Sequence, residues 1–195
     1  GEVLVGDWNT REHEVSKLAA RVGYVFQNPD EQLFCKTVAE EIAFGPRNLG
    51  FEPARAQALV QTALQETQLH EHAEKNPYDL SPTWRKMVAI ASVIAMDTPI
   101  LVLDEPTTGQ DAAGVRRIAS VVAQAAEAGK TVIVISHDMD FVAENFERVI
   151  VIGEGRVLAD GRAAEVLCQT ELLEQTGVQP PQLTRHQGGR LVFVA

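Results

Sequence analysis

The sequence predicts an α/β fold with a parallel sheet and a helical lobe inserted between two of its strands. Three observations predict it. Apolar runs at Ile100-Leu101-Val102-Leu103, Thr131-Val132-Ile133-Val134-Ile135 and Arg148-Val149-Ile150-Val151-Ile152 are separated by helical patterns, the alternation that builds parallel sheets. The first run is apolar throughout, as central strands buried on both faces are, and the second reads as the next buried strand. An earlier β-rich run, Val22-Gly23-Tyr24-Val25-Phe26, is cut off from these by about seventy residues of helical pattern.

The elements follow in order. Gly1-Glu2-Val3-Leu4-Val5 reads as the middle of a strand, and with no initiating Met it suggests a fragment. The Val22–Phe26 strand stops at the loop Gln27-Asn28-Pro29-Asp30. Thr37 suits the N-cap of a helix carrying Val38, Ile42 and Ala43 and ending near Gly45-Pro46. A second helix runs from Pro53, favoured at a first helical position, to about Leu69. A third begins after Ser81-Pro82 and carries the apolar stretch Met87–Met96. Asp111–Ala128 is helical and stops at Gly129, Met139–Phe146 is helical, and Gly153-Glu154-Gly155 turns a hairpin into Arg156-Val157-Leu158-Ala159. The tail has a helix over about Ala163–Gln175 and a strand at Leu191-Val192-Phe193-Val194.

The 195 residues are 45% apolar, enough to bury a core within one domain of two lobes. A net charge of −10, with no basic run, argues against a nucleic-acid surface, because neutralising phosphates takes clustered cations. Cys35 and Cys168 match no metal spacing and read as reduced, partly buried thiols of a cytosolic protein. The Met87–Met96 stretch falls short of a membrane span, and no signal peptide is visible. A role at a membrane therefore implies a partner that holds the chain there.

The chemistry centres on Ile100-Leu101-Val102-Leu103-Asp104-Glu105-Pro106. An apolar strand ending in two acids places both at the C-terminal edge of a sheet, where open α/β folds bind ligands. In nucleotide hydrolysis the first acid suits Mg2+ and the second suits orienting and deprotonating water. A helix N-cap after a buried strand would look the same. Three further features, in order, weigh against that reading. Gln27 leaves a strand end, Thr107-Thr108-Gly109-Gln110-Asp111 links the acids to a helix N-cap, and His137 follows the strand at 131–135.

Together these residues resemble the ATP-binding cassette (ABC) family over nearly the whole chain. The resemblance implies a P-loop NTPase-type ABC ATPase core with an inserted helical subdomain, truncated at its N-terminus. The core would comprise 1–27 and 98–160, the helical subdomain 28–97, and a C-terminal helix and tail 161–195. By the same resemblance Gln27 is the Q-loop glutamine, contacting Mg2+ or water. Ile100–Asp104 is the Walker B strand, with Asp104 on Mg2+ and Glu105 the catalytic base. Gly109-Gln110-Asp111 is the D-loop, with Asp111 acting across a dimer interface. His137 is the switch histidine that senses the γ-phosphate. The segments Val25–Phe34 and Glu40–Pro46, with Gly177-Val178-Gln179-Pro180-Pro181 in the tail, are similar to the ATPases of energy-coupling-factor importers, which take up vitamins and metal ions. The cofactors implied are ATP and Mg2+. The partners implied are a second ABC ATPase subunit, identical or different, a transmembrane coupling protein and a substrate-binding membrane component. The location implied is peripheral, on the cytoplasmic face of the membrane, with no nucleic acid bound.

Two departures stand out. No Gly-x-x-x-x-Gly-Lys-Ser/Thr loop occurs in the sequence. Gly129-Lys130-Thr131 fails because Gln124 stands where Gly is needed and because helix precedes strand there. The chain as given is therefore expected to be inactive. The family's Leu-Ser-Gly-Gly-Gln signature is Leu80-Ser81-Pro82-Thr83-Trp84 here. Ser81 is expected to cap the helix and to face ATP held by the partner, while Pro82 removes a backbone donor. The reading drawn from the family is an importer ATPase. The alternatives are a non-catalytic partner in a heterodimer and a soluble ABC protein acting without a transporter.

Overall fold

The computed structural model describes residues 1–181, 184–187 and 190–193. They divide into two compact units, residues 1–135 and 136–195, each taken by itself below.

In the first unit, β1 (Leu4–Val5) and β2 (Trp8–Asn9) form a small antiparallel hairpin where a single strand is expected. Gly6 makes its turn with φ +63. α1 (Val15–Leu18) leads to β3 (Val22–Val25). The helices α2 (Val38–Asn48), α3 (Pro53–Glu66) and α4 (Pro82–Ile94) then intervene before β4 (Ile100–Asp104), α5 (Ala112–Glu127) and β5 (Thr131–Ile135). The strands form a parallel sheet in the order β3-β4-β5, with Tyr24 level with Val102 and Val102 level with Ile133. The helical insertion between β3 and β4 is the predicted topology.

The sheet buries one face rather than two. Val25, Leu101 and Leu103 are inside, whereas Tyr24, Ile133 and Ile135 are exposed. An all-apolar run cannot distinguish these cases, since alternation shows only when the outer residues are polar.

α2 does not stop at Gly45-Pro46 but continues through Pro46 to Asn48. A Cβ on Gly45 would lie 2.5 Å from Met96 Cγ, so glycine is present for a close crossing with the end of α4 and not as a terminator. Pro46 is buried in the same packing. Thr37 caps α2 as expected, its hydroxyl accepting from the Glu40 N–H at 3.2 Å. Ser81 precedes α4 without a side-chain cap bond, contrary to expectation. Its ψ of 157 and the proline at the next position set the helix entry, and its carbonyl accepts from Arg85 N–H at 2.9 Å. The core lies where α4 packs on the sheet and on α2, and Met87, Val88, Ala89 and Ile90 are fully buried.

In the second unit, α6 (Met139–Asn145) precedes β6 (Arg148–Gly153) and β7 (Arg156–Arg162). The run at 148–152 pairs antiparallel with β7 in a sheet of its own, not in the parallel sheet. Glu154 and Gly155, at φ +51 and +72, make the tight turn, a pairing that suits the twist of a hairpin. The expected helix over 163–175 is two short ones, α7 (Ala163–Val166) and α8 (Thr170–Gln175). A cluster of Met139, Val142, Val149, Val151, Val166 and Leu173 fills this unit. β8 (Thr184–Gln187) pairs with β9 (Arg190–Phe193), where a terminal strand is expected; Val194 lies outside the described residues. Cys35 is half-buried but Cys168 is exposed. No helix among the described residues is long and apolar enough to cross a membrane.

Candidate functional site

β4 delivers Asp104 as its last residue, and Glu105 follows with φ +44. A non-glycine residue in the left-handed region costs of order 1 kcal/mol and persists only where the surroundings enforce it. Here the Glu105 N–H donates to Ile135 O at 2.9 Å, and its carbonyl accepts from Thr108 N–H at 3.3 Å. The Thr108 hydroxyl reaches Glu105 Oε2 at 3.4 Å. The chain is thus turned sharply at the sheet edge, directly after Asp104.

Asp104 is held by a residue that sequence reasoning missed. The Tyr24 hydroxyl donates to Asp104 Oδ2 at 2.7 Å. That bond, with some burial, raises the Tyr24 phenol above its ordinary value. The clue lay in the strand register, which sets Tyr24 beside Val102, two residues before Asp104.

Gln27 follows β3 with an exposed side chain, and its carbonyl accepts from the Lys86 ammonium of α4. Lys86 is 2% exposed. Burial pulls its pKa down, while the charges of Asp104 and Glu105 push it up. Lys86 therefore sits among the three residues expected to share a site. It too was missed, although a cation in helical phase with Ile90 and Val93 on a buried face is a signal in itself. A cavity of about 310 Å3 is lined by Gln27, Pro82, Lys86, Thr108, Gly109 and Gln110.

Asp111 caps α5, its Oδ1 accepting from Gly114 N–H at 2.7 Å. Ser81 is exposed at the start of α4. Trp84 is packed: its ring meets His72 edge-on at 4.9 Å and lies beneath the Arg117 guanidinium at 4.6 Å. Thr83 approaches Gly114, where a Cβ would lie 3.2 Å from Thr83 Cγ2. Gly129 ends α5 with φ +80, and Lys130 pairs with Asp97 at 2.9 Å, so the rejected glycine-lysine segment is a helix stop followed by an ion pair. His137 is exposed and belongs to the second unit. Beside it the Ser136 hydroxyl accepts from Asp138 N–H at 3.0 Å, and Asp138 caps α6 through Phe141 N–H at 3.1 Å.

The donors at the strand edge are hard oxygens: the Asp104 carboxylate and the Gln27 amide. They fit Mg2+, which is commonly held by one or two carboxylates together with substrate phosphates. Among the described residues no three metal-ligating side chains cluster.

The family profile described as ABC transporter matches residues 1–108. The chain belongs to the ABC transporter ATP-binding family. The fold is that of the P-loop NTPase-type ABC ATPases, and the chain covers part of that domain. A putative ABC transporter ATP-binding protein of Methanosarcina mazei is 41% identical over 93% of this chain and 31% of its own length. An energy-coupling factor transporter ATP-binding protein, EcfA, of Methanoculleus marisnigri is 41% identical over 95% of this chain and 67% of its own length. The structure of cbiO1 from Clostridium perfringens, part of the ABC transporter complex cbiONQ, aligns with a TM-score of 0.72 at 36% identity, over 83% of this chain and 64% of that one. This chain thus spans from 31% to about two thirds of the length of these three ABC proteins.

Proposed function

We propose that this ABC chain is the ATP-hydrolysing part of an energy-coupling-factor importer for a micronutrient or metal ion. The observation that carries the proposal is the Asp104–Glu105 step, in which two acids stand at the strand edge on a backbone held in the left-handed region. Glu105 would take the proton of the attacking water, Asp104 and Gln27 would hold Mg2+ through oxygen, and His137 would meet the γ-phosphate. Bound Mg2+ would neutralise charge building on the phosphates. Asp111 and Ser81 face the nucleotide of a second ATPase subunit. The core comprises 1–27 and 98–160, the helical subdomain 28–97 and the tail 161–195. The exposed edge-on pair Phe34–Phe44, with ring centroids 4.7 Å apart, suits a membrane coupling protein, since grouped exposed aromatics mark protein interfaces. The chain then works peripherally on the cytoplasmic face. The relative named EcfA, and the likeness to cbiO1, support this reading.

The test is Glu105→Gln in a protein carrying a phosphate-binding loop ahead of Gly1. The amide keeps the shape but cannot take the proton. ATP should be bound and retained while turnover is lost. Turnover at the parental rate would remove Glu105 as the base. The 195 residues alone should bind Mg-ATP more weakly than micromolar, because backbone amides and a lysine of that loop supply most phosphate contacts.

A second reading, a weaker composite site opposite a catalytic one, rests on Pro82, which offers no backbone donor, while Trp84 is packed against His72 and Arg117. The substitution of Pro82→Gly, Thr83→Gly and Trp84→Gln together should then raise ATPase activity towards two turning-over sites per dimer. Unchanged activity, with both sites already active, would reject the asymmetry.

A further inference from the structure

We propose that Lys86 is a positioning residue that sets the place of Gln27 by holding the Gln27 main-chain carbonyl against α4. The inference rests on the functional role proposed above for Gln27.

Residues 26–33 leave the sheet and run beside α4, and side chains fasten them on either side of Gln27. Gln32 accepts from Phe26 N–H at 3.1 Å through Oε1 and donates to Ala89 O at 2.9 Å through Nε2. Arg85 donates to Asp30 Oδ1 at 2.9 Å, and the Tyr78 hydroxyl donates to Leu33 O at 2.8 Å. At Gln27 itself the fastening is the Lys86 ammonium, which bonds the Gln27 carbonyl and reaches Phe26 O at 3.5 Å.

Burying an ammonium is costly unless acceptors and opposite charge compensate it. A methionine of similar length would fill the same space without that cost. The carbonyls of the loop and the nearby charges of Asp104 and Glu105 offset part of that cost, burial remaining the larger effect on Lys86. Its stem belongs to α4, so any displacement of the start of that helix reaches Gln27 through one side chain. The Gln27 amide, exposed one residue past Phe26, thereby gains a fixed root for contacting the metal or water near Asp104.

The experiment compares Lys86→Met, Lys86→Arg, Gln27→Ala and the Lys86→Met/Gln27→Ala pair. Amide hydrogen exchange on the full chain reads the clamp directly. Lys86→Met should speed exchange between Gln27 and Glu31 about tenfold or more, the weight of a lost hydrogen bond to a charged donor. Protection over Val88–Ile94 should persist, and Lys86→Arg should restore most of the loop protection. Unchanged loop exchange in Lys86→Met, or equal loss across α4, overturns the proposal. The second readout is the Mg2+ concentration for half-maximal ATPase activity of the assembled protein. Lys86→Met should raise it about tenfold, and the double variant should match Gln27→Ala alone, because Lys86 acts through Gln27. Additive losses in the double variant overturn the proposal. If the parent protein hydrolyses no ATP, the functional reading falls, and hydrogen exchange alone decides the clamp.

Discussion

The Tyr24 hydroxyl donates a 2.7 Å hydrogen bond to Asp104 Oδ2, tying β3 to the carboxylate that ends β4. The bond favours the protonated phenol and raises Tyr24 above the ordinary tyrosine value. The folded protein therefore keeps a proton that the unfolded chain releases near pH 10. The stability this bond contributes is fully present below that pH and is lost as pH rises through the raised Tyr24 value. Urea unfolding across this alkaline range should show the decline in the parent and a flatter profile in Tyr24→Phe. An identical slope in both would mean that the bond does not form.

Glu105→Gly should stabilise the fold by about 1 kcal/mol, because glycine tolerates the left-handed backbone at φ +44 that glutamate does not. The same change removes the carboxylate. Glu105→Gln should leave stability within about 0.5 kcal/mol, since it alters neither backbone preference nor size. Thermal unfolding of the two variants separates strain from charge. A destabilised glycine variant would show that the side chain contributes more than the strain costs.

Asp97 pairs with Lys130 at 2.9 Å and with Arg55 at 3.1 Å, at φ +51. Burial works to raise its carboxyl, but the bonds from Lys130 and Arg55 outweigh that and hold it below 3.8. The pair's contribution is present above the unfolded value and is lost as pH falls through the depressed folded one. Asp97→Asn keeps a residue that tolerates the left-handed region, so it should remove the charge with little added strain. A loss of about 1 kcal/mol or less at pH 7 is expected for so exposed a group, shrinking towards pH 3. Denaturation at the two pH values checks it. A loss that stays constant with pH would point to packing instead.

Trp84→Ala should cost about 1–3 kcal/mol, since it removes both the edge contact with His72 and the face beneath Arg117. Arg117 Nε is already buried without a partner, so the loss of its aromatic platform should fall on α5 as well. Calorimetric unfolding gives the magnitude. A shift below about 0.3 kcal/mol would mean that the ring contributes little where it lies.

How much was legible in the sequence varied with where the deciding contact lay. The β4 strand and its acids were readable because an apolar run ending in Asp104-Glu105 is a local pattern. The α5 cap at Asp111 and its stop at Gly129 are local for the same reason. Gly45-Pro46 misled because the crossing with Met96 outweighs a local helix-ending signal. Ile133 and Ile135 were expected inside, yet their exposure depends on what faces the sheet. Tyr24 and Lys86 were overlooked because strand register and helical phase, not neighbouring letters, bring them to Asp104 and Gln27.

The crossing at Gly45 also bears on how relatives of this chain diverge. With a Cβ there meeting Met96 Cγ at 2.5 Å, the two positions share one small volume. Either position alone should resist enlargement, whereas a pair of changes, larger at 45 and shorter at 96, should pass together. A coordinated exchange of this kind between homologues would record the spacing of α2 and α4 in sequence, without any structure being compared.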